Sequence, residues 1–266
     1  MLIDTHCHYN HPQMNQNQSD VPDTLQRARL AGVKAHIVVG YDLESSRRAV
    51  ALADKYSDIA AAVGLHPHDA SEWSTEFESL IYSWANNPNV VAIGEIGLDY
   101  YRNLSPKDKQ QEVFKRQLDL AEHVQLPVII HCREAYDDAL GILNRESVKK
   151  LGGVMHCWAG EPEQALATVR LGMFLGIGGT STYVKATNVH ASIEATPLDC
   201  LLFETDAPYL TPMPFRGKRN EPSYLPLVAE RVAELKRVPV SSAQASVWNN
   251  SVRCFPRLQC ITEASL

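Results

Sequence analysis

The stretch LPVIIHCREA, residues 126–135, holds one unit of the fold in ten residues. Pro127 stops the helical periodicity that runs from Pro106 to Gln125, Val128 to Ile130 form a short apolar strand, and His131 and Arg133 stand where that strand runs out. The same order recurs along the chain. Apolar, β-branched runs appear at Leu2 to Asp4, Ala35 to Val39, Ile59 to Val63, Val90 to Ile93, Val128 to Ile130, Val154 to Met155, Phe174 to Ile177 and Leu201 to Phe203. Each is short and nearly continuous, as strands buried on both faces are. Helical patterns fall between them, at Thr24 to Ala31, Ser45 to Tyr56, Ser71 to Asn86, Pro106 to Gln125, Ala135 to Lys149 and Pro162 to Leu171. After the last strand a loop with Pro208, Pro212 and Pro214 leads to two closing helices, Pro222 to Lys236 and Ser241 to Cys254. Eight strand–helix units in 266 residues predict an α/β fold, a TIM (β/α)₈ barrel, as one domain over residues 1–266. An open doubly wound sheet is the alternative, but no Gly-x-Gly-x-x-Gly follows the first strand, where a dinucleotide fold would place it.

Composition narrows the function. A hydrophobic share of 45% and a charged share of 21% fit a chain with a sizeable core. The start MLIDTHCHYN has neither the basic segment nor the apolar run of a secretory signal, and no stretch approaches the roughly 20 apolar residues of a membrane span. The expectation is a cytoplasmic protein with no membrane attachment and no obligate protein partner. The six cysteines have no CxxC spacing, so neither a disulfide framework nor a zinc ribbon is indicated. A formal net charge of −6 argues against capture of nucleic acid by bulk electrostatics, so a polyanionic substrate needs a local cationic site.

A barrel gathers its active site at the C-terminal rim of the strands, so residues that follow the apolar runs converge although they are far apart in sequence. Strand one is followed by His6 and His8, strand three by His66 and His68, strand four by Glu95, strand five by His131 and Arg133, strand six by His156, and strand eight by Glu204 and Asp206. Six of the ten histidines occupy such positions. In an extended chain His6 and His8 share a face and Cys7 takes the other, which makes the pair a chelate. Four imidazoles (His6, His8, His131, His156) and two carboxylates (Glu95, Asp206) exceed the three ligands of one catalytic zinc. Two divalent ions about 3.5–4 Å apart fit better, with His6, His8 and Asp206 on one, His131 and His156 on the other, and Glu95 bridging both. Zinc, manganese, magnesium and cobalt all accept such mixed nitrogen and oxygen donors. Glu204, two residues before Asp206, is read as support for a ligand imidazole, and His68 as structural or as support behind the ligands. His66 and Arg133, with Lys218 and Arg219, supply the local positive charge that the net composition lacks; Arg133 suits a bidentate hold on phosphate, or a salt bridge with Glu134 or Asp137.

The segments DTHCH (4–8), GLHPH (64–68), GEIGLDY (94–100), LPVIIHCREA (126–135), GGVMHCWAG (152–160), LGIGG (175–179), ETDAPYLTP (204–212) and RGKRNEP (216–222) together resemble the TatD family of metal-dependent deoxyribonucleases. The resemblance spans almost the whole chain. It implies a TIM barrel, two divalent ions, and hydrolysis of DNA phosphodiesters, single-stranded or at 3′ ends, as an exonuclease. It also implies His6, His8, Glu95, His131, His156 and Asp206 as metal ligands. Glu134 stands where the family frequently has Asp, and Trp158-Ala159 where Phe-Ser is frequent, which bears on substrate preference. The expected chemistry is attack of a metal-activated water on phosphorus, with Asp206 as the base and Glu95 sharing the catalytic work as bridge. Two other functions use the same residues differently: a bimetallic hydrolase of an amide, lactone or aminoacyl ester, and a non-enzymatic scaffold that keeps metal for stability.

Overall fold

Eight parallel strands, each joined to the next through helical segments, form one sheet in sequential order. The computed structural model describes residues 1–14 and 20–264. The strands are β1 (Leu2–Cys7), β2 (Val33–Val39), β3 (Ile59–Val63), β4 (Val90–Asp99), β5 (Val128–Arg133), β6 (Gly153–Met155), β7 (Phe174–Ile177) and β8 (Leu201–Phe203). The sheet curls until β8 meets β1, a nearly closed barrel wrapped in helices as the TIM fold requires. Side chains and backbone beyond the last strand residues stitch this seam: Thr5 Oγ1 donates to Phe203 O at 3.0 Å, Asp206 N to His6 O at 2.8 Å and His8 N to Ala207 O at 2.8 Å. Residues about two hundred apart in sequence are thereby laid side by side.

Strand alternation divides the core in two. Ile3, Ala35, Ile37, Val39, Ala60, Ala62, Ala92, Ile129, Val154 and Leu202 make the inner cluster, while Leu2, Val33, Val38, Ala61, Val63 and Ile130 pack outward against the helices. Phe255 and Leu258 join the inner cluster, and Arg257 beside them donates to Val90 O at the start of β4. The C-terminal segment therefore covers the N-terminal end of the barrel. The opposite rim is left to the loops.

The helices are α1 (Asp20–Leu30), α2 (Leu43–Lys55), α3 (Thr75–Ala85), α4 (Lys107–Val124), α5 (Tyr136–Leu143), α6 (Glu146–Leu151), α7 (Pro162–Arg170), α8 (Thr187–Ala195), α9 (Leu225–Lys236), α10 (Val240–Cys254) and α11 (Leu258–Ala264). Local signals set their ends: Asp42 caps α2 through Ser45 N, Ser74 caps α3 through Phe77 N, and Gln125 leaves α4 in the left-handed region before Pro127. No helix among the described residues is long and apolar enough to cross a membrane.

Three expectations need correction. The single helix read over Ala135 to Lys149 is broken at Asn144, whose ψ of 65° is not helical, into α5 and α6. Helix α8 lies between β7 and β8, outside the helical ranges read from the sequence, because TNVHASIEA has weak apolar periodicity. Strand β4 runs six residues beyond Ile93, pairing Ile96 with Ile130, Gly97 with His131 and Asp99 with Arg133 after an irregularity between Ile93 and Ile96. Gly94 and Gly97 had masked this extension. A Cβ at Gly97, whose φ is +137°, would lie 2.0 Å from His131 O, so only glycine lets the two strands approach here.

Candidate metal centre

Every strand-end histidine named above, except His68, comes within 4 Å of the Glu95 carboxylate, at the middle of the rim. Glu95 is 4% exposed and its two oxygens serve different partners. Oε1 lies 2.9 Å from His156 Nε2, 3.0 Å from His131 Nδ1 and 3.4 Å from His66 Nε2. Oε2 lies 3.6 Å from His6 Nε2 and 4.0 Å from His8 Nε2. The carboxylate thus stands between two sets of imidazoles.

On the seam side, the Nε2 atoms of His6 and His8 are 3.2 Å apart, and Asp206 Oδ1 is 3.8 Å from the first and 3.2 Å from the second. His8 Nδ1 donates to Val39 O at 2.9 Å, which leaves Nε2 of the neutral ring with its lone pair turned toward His6 and Asp206. Two imidazole nitrogens and two carboxylate oxygens facing one point suit a divalent cation: they repel one another without positive charge between them. Asp206 reaches this point with a φ of +55°, a left-handed conformation uncommon for Asp, held by the Asp206 N to His6 O bond. Cys157 and Glu134, at the ends of β6 and β5, have positive φ as well.

The far side has its own set. His131 Nδ1 and His156 Nε2 are 3.3 Å apart over Glu95 Oε1, and His131 donates through Nε2 to Asp99 Oδ2 at 3.1 Å. Asp99 also accepts from His68 Nε2 at 2.9 Å and from Arg102 N at 2.8 Å, so it fixes the tautomer that turns His131 Nδ1 inward. His68 therefore partners Asp99 and not Glu95. Asp99 lies outside the residues expected from the sequence; its spacing of two from Gly97 and four from Glu95 on one strand face is the signal that marks it. His66, expected to hold substrate, is 8% exposed and groups with Glu95 and His131 as closely as the expected ligands do. Glu204 Oε1 lies 3.7 Å from His156 Nδ1 and accepts from Cys157 N at 2.5 Å, so it backs His156 from within the barrel. A Cβ at Gly176 would meet Glu204 Oε2 at 2.3 Å, and glycine there makes room for the buried carboxylate.

Electrostatics follows the same division. Burial pushes the Glu95 carboxyl up, but the charges of His156 and His66 and the hydrogen bonds of His131 and His156 hold it well below the usual range. Burial likewise opposes ionisation of Asp206, and His8 and His6 lower it regardless. Burial works against the charge on His156, His131 and His8, yet their carboxylate neighbours raise all three above the ordinary histidine value. His6 is lowered by burial and by His156, and His66 falls to about 4 through burial and His131. Arg133 sits exposed at the edge, its guanidinium carbon 3.8 Å above the ring of Tyr101, and forms no salt bridge with Glu134 or Asp137 among the described residues.

A fourth group of ligand-type side chains, Asp4, Cys7 and His36, is fully buried on β1 and β2 outside this centre. Asp4 is occupied in the seam, accepting from Thr205 N at 3.0 Å and Thr205 Oγ1 at 2.6 Å, and burial raises its pKa to about 7.

Comparison with known proteins agrees with this geometry. The family model described as TatD related DNase matches residues 3–256. A Bacillus subtilis protein named uncharacterized metal-dependent hydrolase YabD is 42% identical over 255 residues, covering 96% of this chain and 99% of that protein. A Salmonella typhimurium protein named 3′-5′ ssDNA/RNA exonuclease TatD is 38% identical over 224 residues, covering 82% and 86%. The crystal structure of YJJV, a TatD homolog from Escherichia coli K12, superposes with a TM-score of 0.90 at 36% identity over 96% of this chain and 98% of that one.

Proposed function

Because the chain belongs to the TatD-related DNase family and is a metal-dependent hydrolase acting on ester bonds, we propose that it removes nucleotides from the 3′ ends of single-stranded nucleic acid, DNA in the first instance, with two divalent ions. The observation that carries this reading is the division of Glu95, one oxygen toward His6 and His8 and the other toward His131 and His156. His6, His8 and Asp206 would hold one ion and His131 and His156 the other, with Glu95 shared between them; His66 is close enough to Glu95 and His131 to serve the second position or to orient substrate. When bound, such a pair of ions draws negative charge from the phosphoryl oxygens and makes water acidic enough to ionise near neutral pH.

The remaining work belongs to the chain. Asp206, held ionised and 9% exposed, accepts the proton of the attacking water. Asp99 holds His131, and the Val39 carbonyl holds His8, so neither ring has to reorganise as charge develops on phosphorus. Arg133, at the end of β5, takes a non-bridging phosphate oxygen. The buried wall of Glu95, His6 and His156, each 5% exposed or less, excludes bulk water from the reacting side.

The test is hydrolysis of 3′-labelled single-stranded DNA by metal-stripped protein titrated with zinc, manganese, magnesium and cobalt, with cyclic amides and aminoacyl-tRNA as competing substrates. The expected result is metal-dependent release of mononucleotides from the 3′ end, and a loss of at least about 10²-fold in kcat for Asp206→Asn with the fold retained. Near-wild-type turnover of Asp206→Asn in metal-replete buffer would remove Asp206 as base, and turnover of an amide in place of DNA would remove the nuclease reading.

A further inference from the structure

Around the metal-ligand cluster the rim carries two exposed aromatic features, at the ends of strands that face each other across the barrel. Tyr209, three residues beyond Asp206 after β8, is 44% exposed, and Tyr101, two residues beyond the end of β4, is 56% exposed. In a sequential ring of eight strands, β8 and β4 are diametrically opposed. The two tyrosines therefore follow opposed strand ends of the barrel.

Neither ring is loose. Tyr209 N donates to Asp206 O at 2.8 Å, and the buried Asn220 donates through Nδ2 to Tyr209 O at 2.6 Å, so the backbone is pinned on both sides. Its hydroxyl lies 3.0 Å from His11 Nε2. His11 Nδ1 accepts from Gln13 N, and burial lowers the His11 pKa, so the ring is neutral and Nε2–H is the donor to Tyr209. The Tyr209 centroid is 6.2 Å from that of His8, which ties this wall to the seam-side metal position. On the other wall Arg133 covers one face of Tyr101 at 3.8 Å and projects from the strand that carries His131. The loop that follows Tyr209 carries Arg216, Lys218 and Arg219, a local positive charge in a chain of net charge −6.

We infer that Tyr209 and the Tyr101–Arg133 pair are stacking platforms for the two bases that flank the scissile phosphodiester. This inference rests on the nucleic-acid reading given above. Aromatic faces accept any base and charged groups accept the phosphates, which is the chemistry of sequence-tolerant single-strand binding. A base in a duplex presents no free face to such walls, so the arrangement selects unpaired ends. Set after opposed strand ends, the walls hold the strand across the site with its phosphate over the ligand cluster. They act in positioning and specificity; the proton transfer stays with Asp206.

The experiment combines protein and substrate changes. Wild-type and Tyr209→Ala holoenzymes are assayed on single-stranded oligonucleotides with either a normal or an abasic residue on each side of the first scissile bond. In wild type, loss of a flanking base is expected to lower kcat/KM by on the order of tenfold or more, mainly through KM. In Tyr209→Ala one of the two abasic substitutions is expected to cost little further, and in Tyr101→Ala the other, whereas Tyr209→Phe keeps the wild-type pattern. A direct readout is the fluorescence of 2-aminopurine at the 3′ end of a phosphorothioate oligonucleotide that resists cleavage. It should be quenched on binding to the metal-loaded wild type and to Tyr209→Phe or Tyr101→Phe, and one or other Ala variant should abolish the quenching. If the abasic penalties are the same in both Ala variants as in wild type, the platforms are wrong although the enzyme is a nuclease. Failure of the wild type to cleave any oligonucleotide would overturn the nuclease reading itself.

Discussion

His36 illustrates what burial does to one side chain. It is fully buried on β2, both ring nitrogens lack a hydrogen-bond partner, and desolvation lowers its pKa to about 4. The unfolded chain takes up a proton at the ordinary histidine value near 6.5 while the native chain does not, so this residue contributes nothing above that value and a growing destabilisation as pH falls toward 4. Over that window the loss amounts to about 3 kcal/mol. Urea unfolding of His36→Gln should therefore show a shallower decline in stability than wild type between pH 6.5 and 4; parallel curves would mean that His36 is not buried neutral. For the gathering of histidines around Glu95 the sequence was informative, because a histidine directly after an apolar run has one destination in a barrel. His6, His8, His131 and His156 were legible for that reason. The direction in which His66 points was not, since it depends on how the Pro67 turn folds back, with His66 capping that turn.

The element that organises the site is β4, and its decisive positions are glycines. Gly97 lets β4 run beside β5 close enough for Glu95 to reach His131 and for Asp99 to hold that ring from the other side. Gly97→Ala should cost about 3 kcal/mol or more and lower metal content together with stability, read by thermal unfolding and elemental analysis; a stable, fully loaded variant would show that this approach is not needed. The β8–β1 seam makes the second element-scale prediction. Asp4 accepts from Thr205 twice and from His6 N at 3.3 Å, so Asp4→Ala leaves buried donors unpaired where Asp206 is brought to His6 and His8. A loss of about 2–4 kcal/mol is expected in denaturant unfolding, with weaker metal affinity. Strand and helix positions were largely readable from apolar runs and from capping residues such as Ser74. The extension of β4 and the role of Asp99 were not, because glycines erase the apolar pattern by which a strand is recognised and the pairing of β4 with β5 is a long-range fact.

At the scale of the molecule, the barrel brings segments from residue 6 to residue 206 to one carboxylate, and protons and metal compete for the same atoms. In the metal-free protein the raised pKa values of His8, His131 and His156 mean that carboxylate–imidazolium pairs stabilise the fold below the ordinary histidine value and fade as pH rises through the raised values. Metal binding requires those rings to be neutral and releases their protons, so the stabilisation given by metal should grow with pH. The difference in Tm between loaded and chelator-treated protein should be larger at pH 8 than at pH 6. A constant difference would separate the histidines from the metal. The most direct measurement of the central claim is anomalous diffraction from crystals grown with manganese or zinc. Two peaks about 3.5–4 Å apart are expected, one against His6, His8 and Asp206, the other against His131 and His156, with Glu95 between them. A single peak, or two peaks that do not share Glu95, would contradict it.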